Sequence, residues 1–129
     1  MSVRRLCTDR RGATALEFAL VAPAFIALMF GTIEFGWALH CASSVRYALE
    51  RSGRELSLNA NLTADQLQTA VRAQLTGIAD NNVTVTLNRQ TINGWRFAVA
   101  TAVYNATISV PLAGDYPITF HSSFTTPTP

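Results

Sequence analysis

The sequence predicts an α+β protein built on one long N-terminal helix. Apolar residues are concentrated in residues 18–39, small and apolar residues then repeat at helical spacing, and alternating apolar and polar residues follow in the C-terminal part. With 49% hydrophobic and 14% charged residues, the composition is apolar for a soluble protein. We therefore expect a transmembrane helix over residues 13–39, a helical stalk over 40–58 and a head of one short helix and a small antiparallel sheet over 59–129.

The segment before the apolar residues is basic. It contains Arg4, Arg5, Arg10 and Arg11, opposed only by Asp9. The positive-inside bias places this end in the cytoplasm and everything after Leu39 outside. After residue 12 the chain has six arginines against seven acids, and no strand or helix shows a basic stripe with interleaved aromatic residues. The net charge of +2 therefore gives no reason to expect nucleic acid as a partner.

Residues 18–39 are long enough to cross a bilayer, since 22 helical residues extend about 33 Å. A secretory signal peptide is the alternative reading of an apolar segment behind arginines. It fits poorly, because this segment is longer than a typical signal core and two glutamates, Glu17 and Glu34, lie at its start and within it. A membrane-spanning helix is the better interpretation.

The helix is expected to continue to Leu58. A stripe of small and apolar residues repeats every three or four positions, and charged pairs at i,i+4 spacing lie on the other face: Arg46 with Glu50, Glu50 with Arg54, and Arg51 with Glu55. The stripe comprises Ala38, Ala42, Val45, Leu49, Gly53 and Leu56. It can pack on the chain's own head or on neighbouring subunits. Cys41 is interpreted as a small residue on this helix, with an intermolecular bridge or lipid attachment as the alternative.

A short helix is expected next, from Ala64 to Leu75. The turn at residues 59–62 precedes it, Thr63 and Gln66 have the spacing of a capping box, and Gly77 provides a C-terminal stop. Its apolar face consists of Leu67, Ala70, Val71 and Leu75.

Strands follow, because the apolar period changes to two after residue 82. We expect a first strand over residues 83–88 and a turn at Asn93–Gly94. A second strand is expected over 95–103, continuing or re-entering at 107–110. After a turn at Gly114–Asp115 we expect a strand over 118–125 and a tail over 126–129.

Gly12, Glu17, Phe18, Pro23 and the residues 33–36 form a pattern that includes a glycine after a basic leader and a carboxylate five places later. The pattern resembles the cleavage motif of type IV prepilins. Together with the apolar segment it is similar to the TadE-like minor pilins, or pseudopilins, of the tight-adherence (Tad) secretion systems. The resemblance is strong over about residues 11–55 and only general in layout beyond them.

The resemblance implies that prepilin peptidase removes the leader, residues 1–12, by cutting between Gly12 and Ala13. It also implies that Glu17 meets the freed Ala13 amine of an adjoining subunit and, with Phe18, sets subunit register. Partners would be the peptidase, other pilin and minor pilin subunits, the inner-membrane assembly platform and membrane lipid. From the residues themselves, Glu17 can neutralise that amine in its own chain or a neighbour's, or lie at headgroup level.

Two further positions in the apolar segment are candidates for function. Pro23 cannot donate a hydrogen bond to the carbonyl of Ala19 and is expected to kink the helix. Glu34 is expected at the outer membrane boundary beside Trp37, or paired with another subunit.

No residue set predicts catalysis, a metal site or a cofactor. His40 and His121 are isolated in the sequence, and no carboxylate has a partner at motif spacing. We therefore expect a structural subunit for pilus assembly in surface adhesion, not an enzyme. The alternative is a bitopic envelope protein whose head binds a partner while the helix serves only as an anchor.

Overall fold

The computed structural model describes the backbone of residues 10–128 and side chains from Gly12 onward, so most of the expected leader, with Cys7, lies outside the described residues. Within these residues, two helices, a 3-10 turn over Asp80–Asn82 and three strands follow one another. The elements are α1 (Arg10–Leu58), α2 (Ala64–Ala73), β1 (Val83–Ile92), β2 (Trp95–Val110) and β3 (Gly114–Pro127). This arrangement confirms the α+β prediction of a long helix with a small antiparallel sheet.

Helix α1 contains 49 residues and is therefore about 73 Å long. It is continuous through the expected span and stalk, and Pro23 lies inside it. Its N-terminal part is apolar and uncovered: residues 12–21 and 23–26 are all exposed. Within the described chain, this is the one helix long and apolar enough to cross a membrane, with a mean hydropathy of 2.0 in its best window.

The C-terminal part of α1 packs on the chain's own head. Val45, Leu49 and Leu56 are at most 1% exposed, and Ala38 and Cys41 are almost as deeply buried. Facing them are the small residues of β2, namely Ala98, Ala100, Ala102 and Ala106. The stripe predicted from the sequence is therefore an intramolecular contact. Small side chains on β2 allow a close approach of the helix. On the helix itself, Gly53 makes room for the ring of Phe124 on β3.

Helix α2 begins as the sequence predicts and ends slightly earlier. The Thr63 hydroxyl accepts from the Gln66 N–H, and the Gln66 side chain accepts from the Thr63 N–H, which completes the capping box. The helix ends at Ala73, two residues before the expected Leu75, and Gly77 follows with a φ of 77°. The Gln74 side chain donates to the hydroxyl of buried Ser52 at 2.6 Å, which ties α2 to α1.

The sheet has the order β1-β2-β3 and is antiparallel throughout. Asn93 and Gly94 both have positive φ, 51° and 83°, as a tight hairpin with a type I′ turn requires. Strand β2 is one uninterrupted strand of 16 residues, so it continues and does not re-enter.

Two expected boundaries in the last third of the chain were wrong. The second turn lies at residues 111–113, and Gly114 already begins β3. Thr126 is not in a tail, because it pairs with Ala98 and is buried. Both errors have one cause: pairing with β2 extends β3 beyond the residues whose own alternation indicates a strand.

The exposed charged face of α1 is less regular than its spacing indicates. Arg46 Nε donates to Glu50 Oε1 at 2.9 Å. Within the described helix, the expected Glu50–Arg54 and Arg51–Glu55 pairs are not closed. Exposed pairs of this kind contribute little, so the fold does not depend on them.

Candidate processing and assembly site

The expected cleavage bond, between Gly12 and Ala13, lies at the very start of α1. A Cβ added to Gly12 would meet no atom within 4 Å. The chain's own fold therefore places no steric demand for glycine at this position.

Glu17 and Phe18 lie one turn further along the same helix. Both are exposed, Phe18 by 73% of its surface. Ala13 and Glu17 are four positions apart, so the two lie on the same face of α1. A carboxylate and a large ring are thus presented outward from a part of the helix that its own head does not cover.

Pro23 is also exposed, and α1 continues on both sides of it. Because proline has no N–H, the carbonyl of Ala19 lacks its usual helical donor. This weak point lies in the part of α1 that the head leaves uncovered.

Glu34 has a different environment from Glu17. It is half-buried and lies in a groove of about 370 Å³ between α1 and the head. Trp37 and Cys41 line the groove from the helix, and Asn82 and Tyr104 line it from the head. Trp37 remains 56% exposed, and its ring lies 5.5 Å from that of His40. The carboxylate is thus at the junction where the head begins to cover the helix.

A polar contact near this groove was not predicted from the sequence. Burial raises the pKa of Tyr104 to about 12, and a hydrogen bond with Cys41 shifts it in the same direction. Tyr104 also stacks on Phe120 with ring centroids 6.1 Å apart. The burial of Tyr104 could have been predicted from its position among the alanines on the inner face of β2, because residues two apart on a strand share a face.

Cys41 lies within this contact. It is a free cysteine and only 2% exposed. The interpretation of Cys41 as a small residue on a packed helix face agrees with this burial. An intermolecular disulfide or a lipid attachment would require the thiol to be uncovered.

The fold and these residues define a class of protein: a long apolar helix suited to a membrane, uncovered at its N-terminal end and carrying a small α+β head at the other. Residues 12–54 match the family model described as TadE-like protein, which confirms the resemblance predicted from the sequence. The TadE-like family is associated with the Tad pilus and is a structural, non-enzymatic kind of protein. No curated protein and no solved structure matches the chain.

The limits of the match coincide with features of α1. It begins at Gly12 and ends at Arg54, four residues before the helix ends. The similarity therefore covers the uncovered segment and most of the stalk, and the head lies beyond it.

Proposed function

We propose that this chain is a minor pilin, or pseudopilin, for assembly of a Tad (Flp-type) pilus in surface adhesion. It is inserted in the inner membrane with its head in the periplasm and is trimmed by prepilin peptidase between Gly12 and Ala13. The TadE-like match, which begins at Gly12 on a helix with an uncovered apolar N-terminal part, is the observation that carries this proposal. Its partners are the peptidase, the assembly platform and other pilin subunits.

The depth of Glu17 supports an assembly role. The head reaches α1 as low as Gly31, where Val110 packs. Glu17 lies 14 residues below Gly31, about 21 Å along the helix, whereas the apolar layer of a bilayer is about 30 Å thick. Glu17 thus lies in the cytoplasmic half of the apolar layer. An ionised side chain costs about 3 kcal/mol at the centre of a membrane helix and less away from the centre, but an unpartnered carboxylate inside the layer is still unfavourable.

A cationic partner removes that penalty. Cutting after Gly12 frees an amine on Ala13 at the positive end of the helix dipole, where a nearby carboxylate is stabilising. Glu17 can meet this amine in its own chain or in an adjoining one. Pairing between chains would fix the axial register of neighbouring subunits, and we propose this arrangement, with Phe18 packing beside it.

The processing step is tested by replacing Gly12 with leucine. The substitution meets no steric obstacle in the chain itself, so a block in processing would show that the peptidase requires glycine at this position. Intact-mass measurement of membrane-extracted protein should find a chain beginning at Ala13 for the wild type and an uncut chain for Gly12→Leu.

Gly36→Leu is the matched control. A Cβ at Gly36 also meets no atom within 4 Å, and the residue lies on the same helix. This variant should be trimmed normally. A wild-type chain that retains Met1, or one that begins near Ala42 as after signal-peptide removal, contradicts the proposal.

A further inference from the structure

The turn that joins β2 to β3 lies beside the apolar part of α1. We call residues 110–114 the membrane-proximal tip. The side chain of Val110 comes within 3.5 Å of the position that a Cβ on Gly31 would occupy. Below it, a groove on the helix is lined by apolar residues, among them Ala27 and Leu28.

Strand β2 runs along the helix axis, with the tip directed towards the N-terminus of α1. Gly53 lies against Phe124, which pairs with Ala100 on β2, and Gly31 lies against Val110. Ten strand residues from Ala100 to Val110 extend about 33 Å. The 22 helical residues between Gly53 and Gly31 also extend about 33 Å. The two lengths agree, so the strand follows the helix without crossing it steeply.

This direction fixes the height of the tip on the helix. From Gly12 to Phe30 there are 19 residues, about 28 Å of helix, which is close to the thickness of the apolar layer of a bilayer. In a bilayer whose apolar layer begins at Gly12, the tip is level with the membrane boundary on the side of the head. The groove that contains Glu34 and Asn82 lies just above that boundary.

The tip has the chemistry of an interfacial membrane contact. Its sequence is Val-Pro-Leu-Ala-Gly, and the side chain of Leu112 is 84% exposed. Tyr116 is 51% exposed, and its hydroxyl donates to the carbonyl of Ala113 at 3.1 Å. Asp115, set back from the tip along β3, accepts from the Ser109 hydroxyl at 2.6 Å. Apolar residues at the end, with an aromatic ring and a polar pair behind them, match the polarity gradient of a bilayer surface.

Leu112 is also unusual in its backbone. Its φ is 70°, a left-handed conformation that favours glycine or asparagine. A large apolar residue is thus held, at the cost of strain, in the middle of the turn at residues 111–113.

We propose that the membrane-proximal tip inserts Leu112 into the lipid leaflet on the side of the head, as a second membrane contact beside α1. Two contacts fix the height and the rotation of the head relative to the bilayer, whereas a single helix leaves rotation free. The outer boundary of the span then lies near Glu34, five residues before the expected Leu39. This inference requires only that α1 spans a membrane and does not depend on the pilus assignment.

The test uses the full chain reconstituted in vesicles of phosphatidylethanolamine and phosphatidylglycerol. A polarity-sensitive fluorophore is attached to Leu112→Cys, in a chain that carries Cys7→Ser and Cys41→Ala. Ile92→Cys is the matched control, because Ile92 is an exposed apolar residue beside the hairpin turn at the opposite end of the sheet. Ala113→Cys provides a second position on the tip.

The probe at residue 112 or 113 should show blue-shifted emission and strong quenching by lipids that carry a nitroxide at a shallow acyl position. Quenching by a deep nitroxide should be weaker, and the probe at residue 92 should remain water-like and unquenched. Water-like emission at both tip positions overturns the proposal. So does crosslinking between tip cysteines of two chains without lipid quenching, which would assign the tip to a subunit contact.

Discussion

At the scale of single residues, the two glutamates of the apolar segment have different environments. Glu17 is exposed on an uncovered stretch of helix, and Glu34 is half-buried at the edge of the head. Both were candidates in the sequence, where the spacing from Gly12 singled out Glu17 and left Glu34 as the secondary candidate. The packing of the head separates them, because it covers the helix at Glu34 and leaves Glu17 to lipid or to another subunit.

Replacing Glu17 tests its proposed role in register. Glu17→Ala and the nearly isosteric Glu17→Gln should both insert in the membrane and be cut after Gly12, because neither change alters the span or the cleavage bond. Incorporation into pili should fall strongly in both, since neither side chain can pair with the Ala13 amine. Sheared pilus fractions and membrane fractions, compared by immunoblot, give the measurement. Normal incorporation of Glu17→Gln would refute the register role.

Tyr104 predicts a pH dependence of the head's stability. Its pKa is raised from 10.0 to about 12 in the folded chain, so the folded state holds the phenol proton more tightly than the unfolded state. The stabilisation linked to the neutral phenol is fully present below pH 10 and is lost as the pH rises from 10 to about 12. Thermal unfolding in detergent should therefore show a falling Tm over this interval.

Tyr104→Phe is the control for this prediction, because phenylalanine keeps the ring that stacks on Phe120 and removes the ionisable group. The variant should lose the part of the decline that Tyr104 causes. An identical pH profile in the two proteins would show that Tyr104 is not responsible.

At the scale of elements, the contact between α1 and the sheet depends on a glycine. A Cβ at Gly53 would stand 2.5 Å from Cδ1 of Phe124 and 2.8 Å from Cε1, so the ring would have to move. Overpacking of this kind costs about 1–3 kcal/mol. The gain in helix propensity from glycine to alanine, about 1 kcal/mol, offsets part of it.

We therefore expect Gly53→Ala to lower the Tm of the head, measured by circular dichroism in detergent. Gly36→Ala, on the same helix in open space, should leave the Tm unchanged or raise it slightly. The double variant with Phe124→Leu should recover part of the loss, because the smaller side chain makes room. Equal Tm values for Gly53→Ala and Gly36→Ala would argue against the close approach.

The elements also show which sequence patterns were sufficient. The capping box of Thr63 and Gln66 and the turn at Asn93–Gly94 were predicted correctly, because each is determined by local chemistry. The ends of β3 were not, because they depend on hydrogen-bonded pairing with β2, which the alternation of residues within β3 does not indicate. Which face of β2 is buried is likewise decided by tertiary packing. Residues alternate regularly between the two faces of the strand, and the face that carries the small alanines packs on the helix.

At the scale of the whole molecule, the proposed subunit and the alternative bitopic anchor differ in what the uncovered helix does. Replacing residues 13–30 with an unrelated leucine-alanine span of equal length should preserve membrane insertion and the folded head, since this segment precedes the part of α1 that the head buries. A second version of the replacement that retains Ala13, Glu17 and Phe18 isolates the contribution of these three residues to pilus incorporation.

A pilus subunit should lose incorporation with the full replacement and regain part of it with the second version. Co-fractionation with sheared pili, together with protease protection of the head, gives the measurement. If the chain with the unrelated span co-fractionates with pili as well as the wild type does, the anchor-only alternative is favoured.

The sequence by itself determined the elements and the candidate positions. Long apolar segments, helical spacing and capping residues act over a few neighbouring residues, so the single span, the continuous α1 and the candidate set from Gly12 to Glu34 could be predicted without a fold. The TadE-like match agrees with that prediction over residues 12–54. Tertiary structure decided what these elements face. It placed the stalk's stripe on the chain's own sheet, buried Cys41 beside Tyr104 and brought the tip of β2 and β3 down to Gly31. Each of these depends on contacts between residues far apart in the chain, which local preferences do not encode.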